Sequence, residues 1–137
     1  MNGAISRGLL DRIREYVAQS PDEEVCGLLL GMDGTVTDIL PAANVASDRA
    51  LRFELDPAVL FAAHRHARSG GPQVVGHYHS HPNGSTLPSA EDAASAVTGQ
   101  LWLIVAGDGM ALYEAIDQGP VAGRFRRIDI SGCTSAR

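Results

Sequence analysis

His79, His81 and Asp92 are spaced so that all three could bind one metal ion. Val74–His81 reads as a β-strand, and on a strand residues two apart project to the same side. His79 and His81 therefore point together, with Cα atoms ~6–7 Å apart. Pro82 ends the strand, and Pro82–Pro88, rich in Asn, Gly, Ser and Thr, reads as a loop that turns the chain back. Ser89 then opens a short Ala-rich helix to about Val97, which puts Asp92 in the first turn, where its carboxylate can face the imidazoles. Two His and one carboxylate leave a fourth tetrahedral position open for water, the arrangement of catalytic rather than structural zinc sites. Nitrogen and oxygen donors without a thiolate suit zinc, with iron or manganese as alternatives.

Hydrolysis at such a metal needs a base near the water. Glu24, just ahead of the apolar run Val25–Leu30, is a candidate at a sheet edge; local sequence alone does not separate it from Asp22 and Glu23. Ser89 has two possible jobs. Its hydroxyl could donate to a developing oxyanion, or it could cap the helix, with Asp92 three residues on completing a capping-box-like pair. These roles compete on paper: a carboxylate given to zinc would leave the capping to Ser89.

Other residues invite plainer readings. His77 shares the face of His79 and His81 but lies ~13 Å from His81 along the strand, so it is expected to pack or to support the site. His64 and His66 fall inside a helix, where i and i+2 point apart, and are expected to be exposed. Cys26, in an apolar strand, reads as a small core residue. Trp102, Tyr113 and Phe125 read as core, and Arg124, Arg126 and Arg127 as a solvated strand face.

The elements that must position these groups follow from periodicity and punctuation. Ile5, Leu9, Leu10, Ile13, Tyr16 and Val17 predict an amphipathic helix over residues ~5–19, stopped by Ser20-Pro21. Val25–Leu30 and Thr35–Leu40 read as strands joined by a turn at Asp33-Gly34, with Pro41 ending the second. Ala42–Ala50 reads as a loop and Leu51–Leu55 as a short strand. Asp56-Pro57 starts a helix that runs to about Arg68 and stops at Ser69-Gly70-Gly71. After the histidine strand and the short helix come strands at Leu101–Ala106, Met110–Ile116 (turned at Asp108-Gly109) and Val121–Ile130, then a tail from Ser131 expected to fray. The order predicts one α/β domain over residues 1–137, a single mixed sheet with flanking helices.

Composition fits that size. The 137 residues are 45% hydrophobic and 20% charged, which suits a soluble globular domain. A net charge of −5 argues against a nucleic-acid partner. No run approaches the ~20 apolar residues that span a bilayer, and Asp11 interrupts the apolar stretch after Arg7, so neither a membrane partner nor a signal peptide is expected and a cytoplasmic location follows by default. All eleven basic residues are Arg, which excludes lysine Schiff-base chemistry. Cys26 and Cys133 form no CxxC pair and suggest no disulfide framework.

Taken together, Glu24, His79-Ser80-His81-Pro82, Ser89 and Asp92 resemble the JAMM motif of MPN-domain metalloproteases. That motif has an early glutamate, then His-x-His-Pro, seven residues, a Ser, two residues and an Asp. Pro21–Gly31, PDEEVCGLLLG, is similar to the family's opening strand, with the glutamate two before Cys-Gly, which selects Glu24 over Glu23. His77 departs from the family, where a Trp or an aliphatic residue is common. The resemblance spans nearly the whole chain and implies a compact prokaryotic member with the MPN/JAMM fold, layered like the cytidine deaminases. It implies zinc (Zn2+) on His79, His81 and Asp92, Glu24 as general base, and Ser89 steadying the tetrahedral intermediate. The implied substrate is a peptide or isopeptide bond at the C-terminus of a ubiquitin-like or sulfur-carrier protein. Two alternatives are a non-catalytic MPN-type scaffold and a zinc hydrolase of a small amide.

Overall fold

A computed structural model describes residues 4–32, 35–107 and 109–130. In chain order its elements are β1 (Ala4–Ile5), α1 (Arg7–Ala18), β2 (Cys26–Met32), β3 (Thr35–Ala42), α2 (Pro57–Arg68), β4 (Gln73–Ser80), α3 (Ala90–Ser95), β5 (Leu101–Ala106), β6 (Gly109–Gly119) and β7 (Gly123–Ile128). The strands form one mixed sheet in the order β1-β3-β2-β4-β5-β6-β7. β4 lies near its centre, antiparallel to β2 and parallel to β5. The parallel pair needs a crossover, and the 81–89 loop with α3 supplies it.

Alternation divides the core between the two faces of the sheet. Leu101, Leu103 and Val105 of β5 join Tyr78, Leu29 and the α1 residues Leu10 and Ile13 on one face. Trp102 and Ile104 join Tyr113 and Phe125 on the other, so these three aromatics are core as expected. β4 alternates in the same way: Tyr78 enters the first cluster, while His77 and His79 contact Trp102 on the second side. The sheet is tight here. A Cβ on Gly27 would fall within the Tyr78 ring, and one on Gly76 against the Leu101 carbonyl.

Several expectations change. Ile5 belongs to a two-residue strand that pairs parallel with Thr35 and Val36, and α1 starts only after Ser6, whose hydroxyl accepts the Leu9 N–H. Pro41 does not end its strand. It pairs with Gly27 where β1 no longer flanks β3, an edge that proline tolerates. Leu51–Leu55 is not a strand: only an isolated Asn44–Leu55 bridge forms, with the Val45 N–H on the Glu54 carbonyl and the Asp56 N–H on the Ala43 carbonyl, and the Asn44 side chain adds its bonds to the Arg52 carbonyl and the Glu54 N–H. β6 runs on to Gly119, and β7 starts at Gly123, which with the preceding Ala122 is at positive φ. The turns at Asp33-Gly34 and Asp108-Gly109 involve positions outside the described residues, as do Cys133 and the tail. No described helix is long and apolar enough to cross a membrane.

Candidate metal centre

The strand period delivers the two histidines as expected. His79 is on β4 and fully buried; His81 is the first residue beyond it, still tied to β5 through its N–H to the Val105 carbonyl at 2.8 Å. Their Nε2 atoms are 3.0 Å apart. Asp92 Oδ2 completes a triangle, 3.3 Å from His79 Nε2 and 3.1 Å from His81 Nε2. A tetrahedral metal with bonds of ~2.0–2.1 Å has ligand–ligand edges of about 3.3 Å.

The chemistry of the donors also calls for a cation. His81 Nδ1 donates to the Ser85 carbonyl at 2.8 Å, which in the neutral ring leaves Nε2 as a lone pair. That lone pair faces a carboxylate oxygen and a second imidazole, an arrangement of acceptors that needs a proton or a metal ion at its centre. Burial lowers the His79 pKa, favouring the neutral ring that binds metals. Burial also works to lower His81, but Asp92 and the Ser85 carbonyl outweigh it and raise its pKa; a metal ion would displace that proton. Burial works against ionising Asp92, yet its contacts with His79, His81 and the Ser89 N–H hold its carboxyl well below the usual range. The three residues therefore fit a metal ion.

One expectation is corrected here. Asp92 does not have to choose between metal and cap, because a single oxygen faces both. Oδ2 accepts the Ser89 N–H at 2.9 Å while lying against the imidazoles, and Ser89 Oγ accepts the Asp92 N–H at 3.0 Å. The capping box is complete. A carboxylate oxygen has two lone pairs, so one serves the helix and the other the triangle. Ser89 is equally unforced: its hydroxyl accepts in the cap and keeps its own proton to donate.

Glu24 joins the cluster from β2's entry. One carboxylate oxygen and the imidazole nitrogens of His79 and His81 lie within 4.8 Å of one another. Burial pushes the Glu24 carboxyl up to about 7, with the His81 charge opposing and Asp92 adding to the rise. Glu23, by contrast, pairs with Arg49 at 3.2 Å in a half-exposed ion pair. Glu24, His81 and Ser89 share a cleft of about 220 Å³ flanked by Leu51 and Leu87.

The residue between the histidines also works. Ser80 points to the opposite face, where its Oγ accepts the Val25 N–H at 2.8 Å and donates to the Glu23 carbonyl at 3.4 Å, bracketing Glu24. His77 is packed edge-on against Trp102 (centroids 4.2 Å) and tilted on Phe53 (5.4 Å), and burial, with His79 nearby, lowers its pKa to about 3. It packs rather than ligates. His64 and His66 are exposed on α2, apart from the site. Cys26 is buried, its thiol directed at the Ala42 and Ala43 carbonyls and pushed up to about 12 by burial. Arg126 pairs with Glu114, and Arg124 donates to the Ile116 carbonyl, so this run is engaged along its own strands.

Two further residues belong to the site and are not marked by the sequence pattern: Phe53, stacked on His79 at 4.3 Å and 20°, and Asn44, hydrogen-bonded to the Glu24 carbonyl at 2.8 Å. Asn44 sits just past β3 and accepts the N–H two residues on, at Ala46, the local turn that asparagine favours; its bond to Glu24 is long-range and leaves no local sequence signal.

Residues 6–122 match the family model of prokaryotic homologs of the JAB domain. The chain is 39% identical over 104 residues, 74% of its length and 75% of the relative's, to a desampylase of Haloferax volcanii. It is 29% identical over 109 residues, 80% of this chain and 73% of the other, to a probable TtuB-protein conjugate cleaving protease of Thermus thermophilus. A JAB1/MPN domain protein from Archaeoglobus fulgidus shares its fold, with a TM-score of 0.60 at 24% identity over 94% of this chain and 97% of that one.

Proposed function

The chain belongs to the family of prokaryotic homologs of the JAB domain, and from that premise we propose that it is a zinc metallopeptidase of the JAMM type. Its substrate is a peptide or isopeptide bond at the C-terminus of a ubiquitin-like or sulfur-carrier protein. The carrying observation is the buried triangle of His79 Nε2, His81 Nε2 and Asp92 Oδ2 with the Glu24 carboxylate beside it. The desampylase and the conjugate-cleaving protease support the substrate class.

When bound, zinc supplies a Lewis acid that polarises the scissile carbonyl and acidifies water. Glu24 stands one water's reach from the imidazoles. A carboxyl poised near 7 can accept a proton from the attacking water and return it to the departing amine. Ser89, exposed at the cleft, donates its free hydroxyl proton to the oxyanion that forms. His79, His81 and Asp92 would hold the zinc ion, with the His79 ring fixed by Phe53 and the His81 ring by the Ser85 carbonyl.

The test is Glu24→Gln on the zinc-loaded protein, assayed on a carrier-protein conjugate. Loss of a general base costs ~10²–10⁴-fold in kcat, while zinc content should stay at the wild-type level. A variant that keeps both its zinc and the wild-type rate would exclude the mechanism.

A further inference from the structure

Among the described residues, the buried Oε1 of Glu24 has no hydrogen-bond partner. Its position must come from the backbone that carries it. Both peptide groups of Glu24 lean on the 44–55 loop: its N–H donates to the Arg49 carbonyl at 2.7 Å, and its own carbonyl accepts from Asn44 Nδ2 at 2.8 Å. We propose that Asn44 is a positioning residue for the Glu24 base, clamping it to a loop that also braces the metal ligands. This rests on the reading of Glu24 as base.

Asn44 uses its whole hydrogen-bonding capacity. Nδ2 also donates to the Arg52 carbonyl at 3.1 Å, and Oδ1 accepts the N–H groups of Ala46 and Glu54, each at 3.0 Å. One side chain thus closes the loop on itself and ties the closed loop to Glu24. The loop in turn reaches the other site elements. Phe53 stacks on His79, and Arg52 pairs at 3.3 Å with Glu91, the neighbour of Asp92 on α3. Base, imidazole and carboxylate are referred to one frame, and Asn44 is the only one of these contacts to touch the Glu24 carbonyl among the described residues.

Asn44→Asp separates positioning from simple loop stapling. It keeps both accepting roles and removes both donors. Expected is a loss on the order of 10–100-fold in kcat, as for a catalytic group displaced by about 1 Å, with KM and zinc stoichiometry unchanged. In the metal-free protein the Ala46 and Glu54 amides should stay protected from hydrogen exchange. In a Glu24→Gln background the same substitution should change the residual rate by less than about threefold, because Asn44 acts through Glu24. Should Asn44→Asp lose that protection, Asn44→Ser, whose hydroxyl can still accept the Ala46 N–H, takes its place. Equal losses in both backgrounds, an unchanged kcat, or a loop unprotected in both variants would each overturn the proposal. If Glu24→Gln alone leaves the rate intact, the reading of the base has failed; if only Asn44→Asp does, the clamp alone has failed.

Discussion

Replacing Asp92 by Asn isolates the metal role of a residue that also caps a helix. The amide oxygen can still accept the Ser89 N–H, and Ser89 Oγ still accepts the main-chain N–H of position 92, so the capping box survives. Even a weakened cap costs only about 1 kcal/mol. The metal triangle loses its only charged donor. Outer partners of metal ligands are worth ~10–100-fold in affinity, so a ligand itself should be worth at least about 100-fold, or about 2.7 kcal/mol. A metal that binds only the folded state adds about 4.1 kcal/mol when free metal is 1,000 times Kd, and about 1.4 kcal/mol at ten times Kd. In a domain of 137 residues each kcal/mol moves Tm by about 3–5 °C. The zinc-induced rise in Tm should therefore be about 8–13 °C smaller in Asp92→Asn, with the chelated proteins melting close together. Differential scanning fluorimetry with zinc and with chelator reads both. If the variant keeps the full zinc-induced rise, Asp92 is a cap and not a ligand.

Two further outcomes follow from the same geometry. Ser89→Ala removes the hydroxyl that accepts the Asp92 N–H and should cost about 1 kcal/mol of stability with or without metal; its kcat should fall ~10²–10³-fold if that hydroxyl meets the oxyanion, and a loss below about threefold would take Ser89 out of the reaction. Burial raises Glu24 from 4.5 to about 7 in the folded chain, so between those pH values the folded state holds a proton that the unfolded state has released. Stability then falls as pH rises through that window, by up to about 3 kcal/mol. Chelated Glu24→Gln should outlast wild type in thermal melts at pH 8 and lose that advantage by pH 4; equal stability at pH 8 would show that the carboxyl is not strained by burial.

The parts legible in the sequence are those written in local period. Alternation put His79 and His81 on one face, and Asp56-Pro57 and Ser69-Gly70-Gly71 bounded α2. The short strand β1 was not legible, because Ile5 continues a helical pattern and only β3, thirty residues later, offers the edge that recruits it. Leu51–Leu55 has strand composition but pairs with residues 43–45 through a single bridge; beyond it the Asn44 side chain takes the Arg52 carbonyl and Glu54 N–H, and the segment stays a loop. The stack of Phe53 on His79 is likewise a long-range event with no periodic trace. The dual use of Asp92 was hidden for another reason: residue type shows a ligand or a cap, whereas lone-pair directions show that one atom can be both.

Ser80 has a mechanical consequence. It stands between the two histidines and grips the chain on either side of Glu24. Three consecutive residues thus act as a gauge block, with ligands on one side and the seat of the base on the other. When the sheet breathes or β4 slides against a neighbour, both sides travel together. The gap across which a proton must pass is then referred to one strand end and to the loop that Asn44 holds, and the outer strands can drift in sequence or sway with heat without changing it.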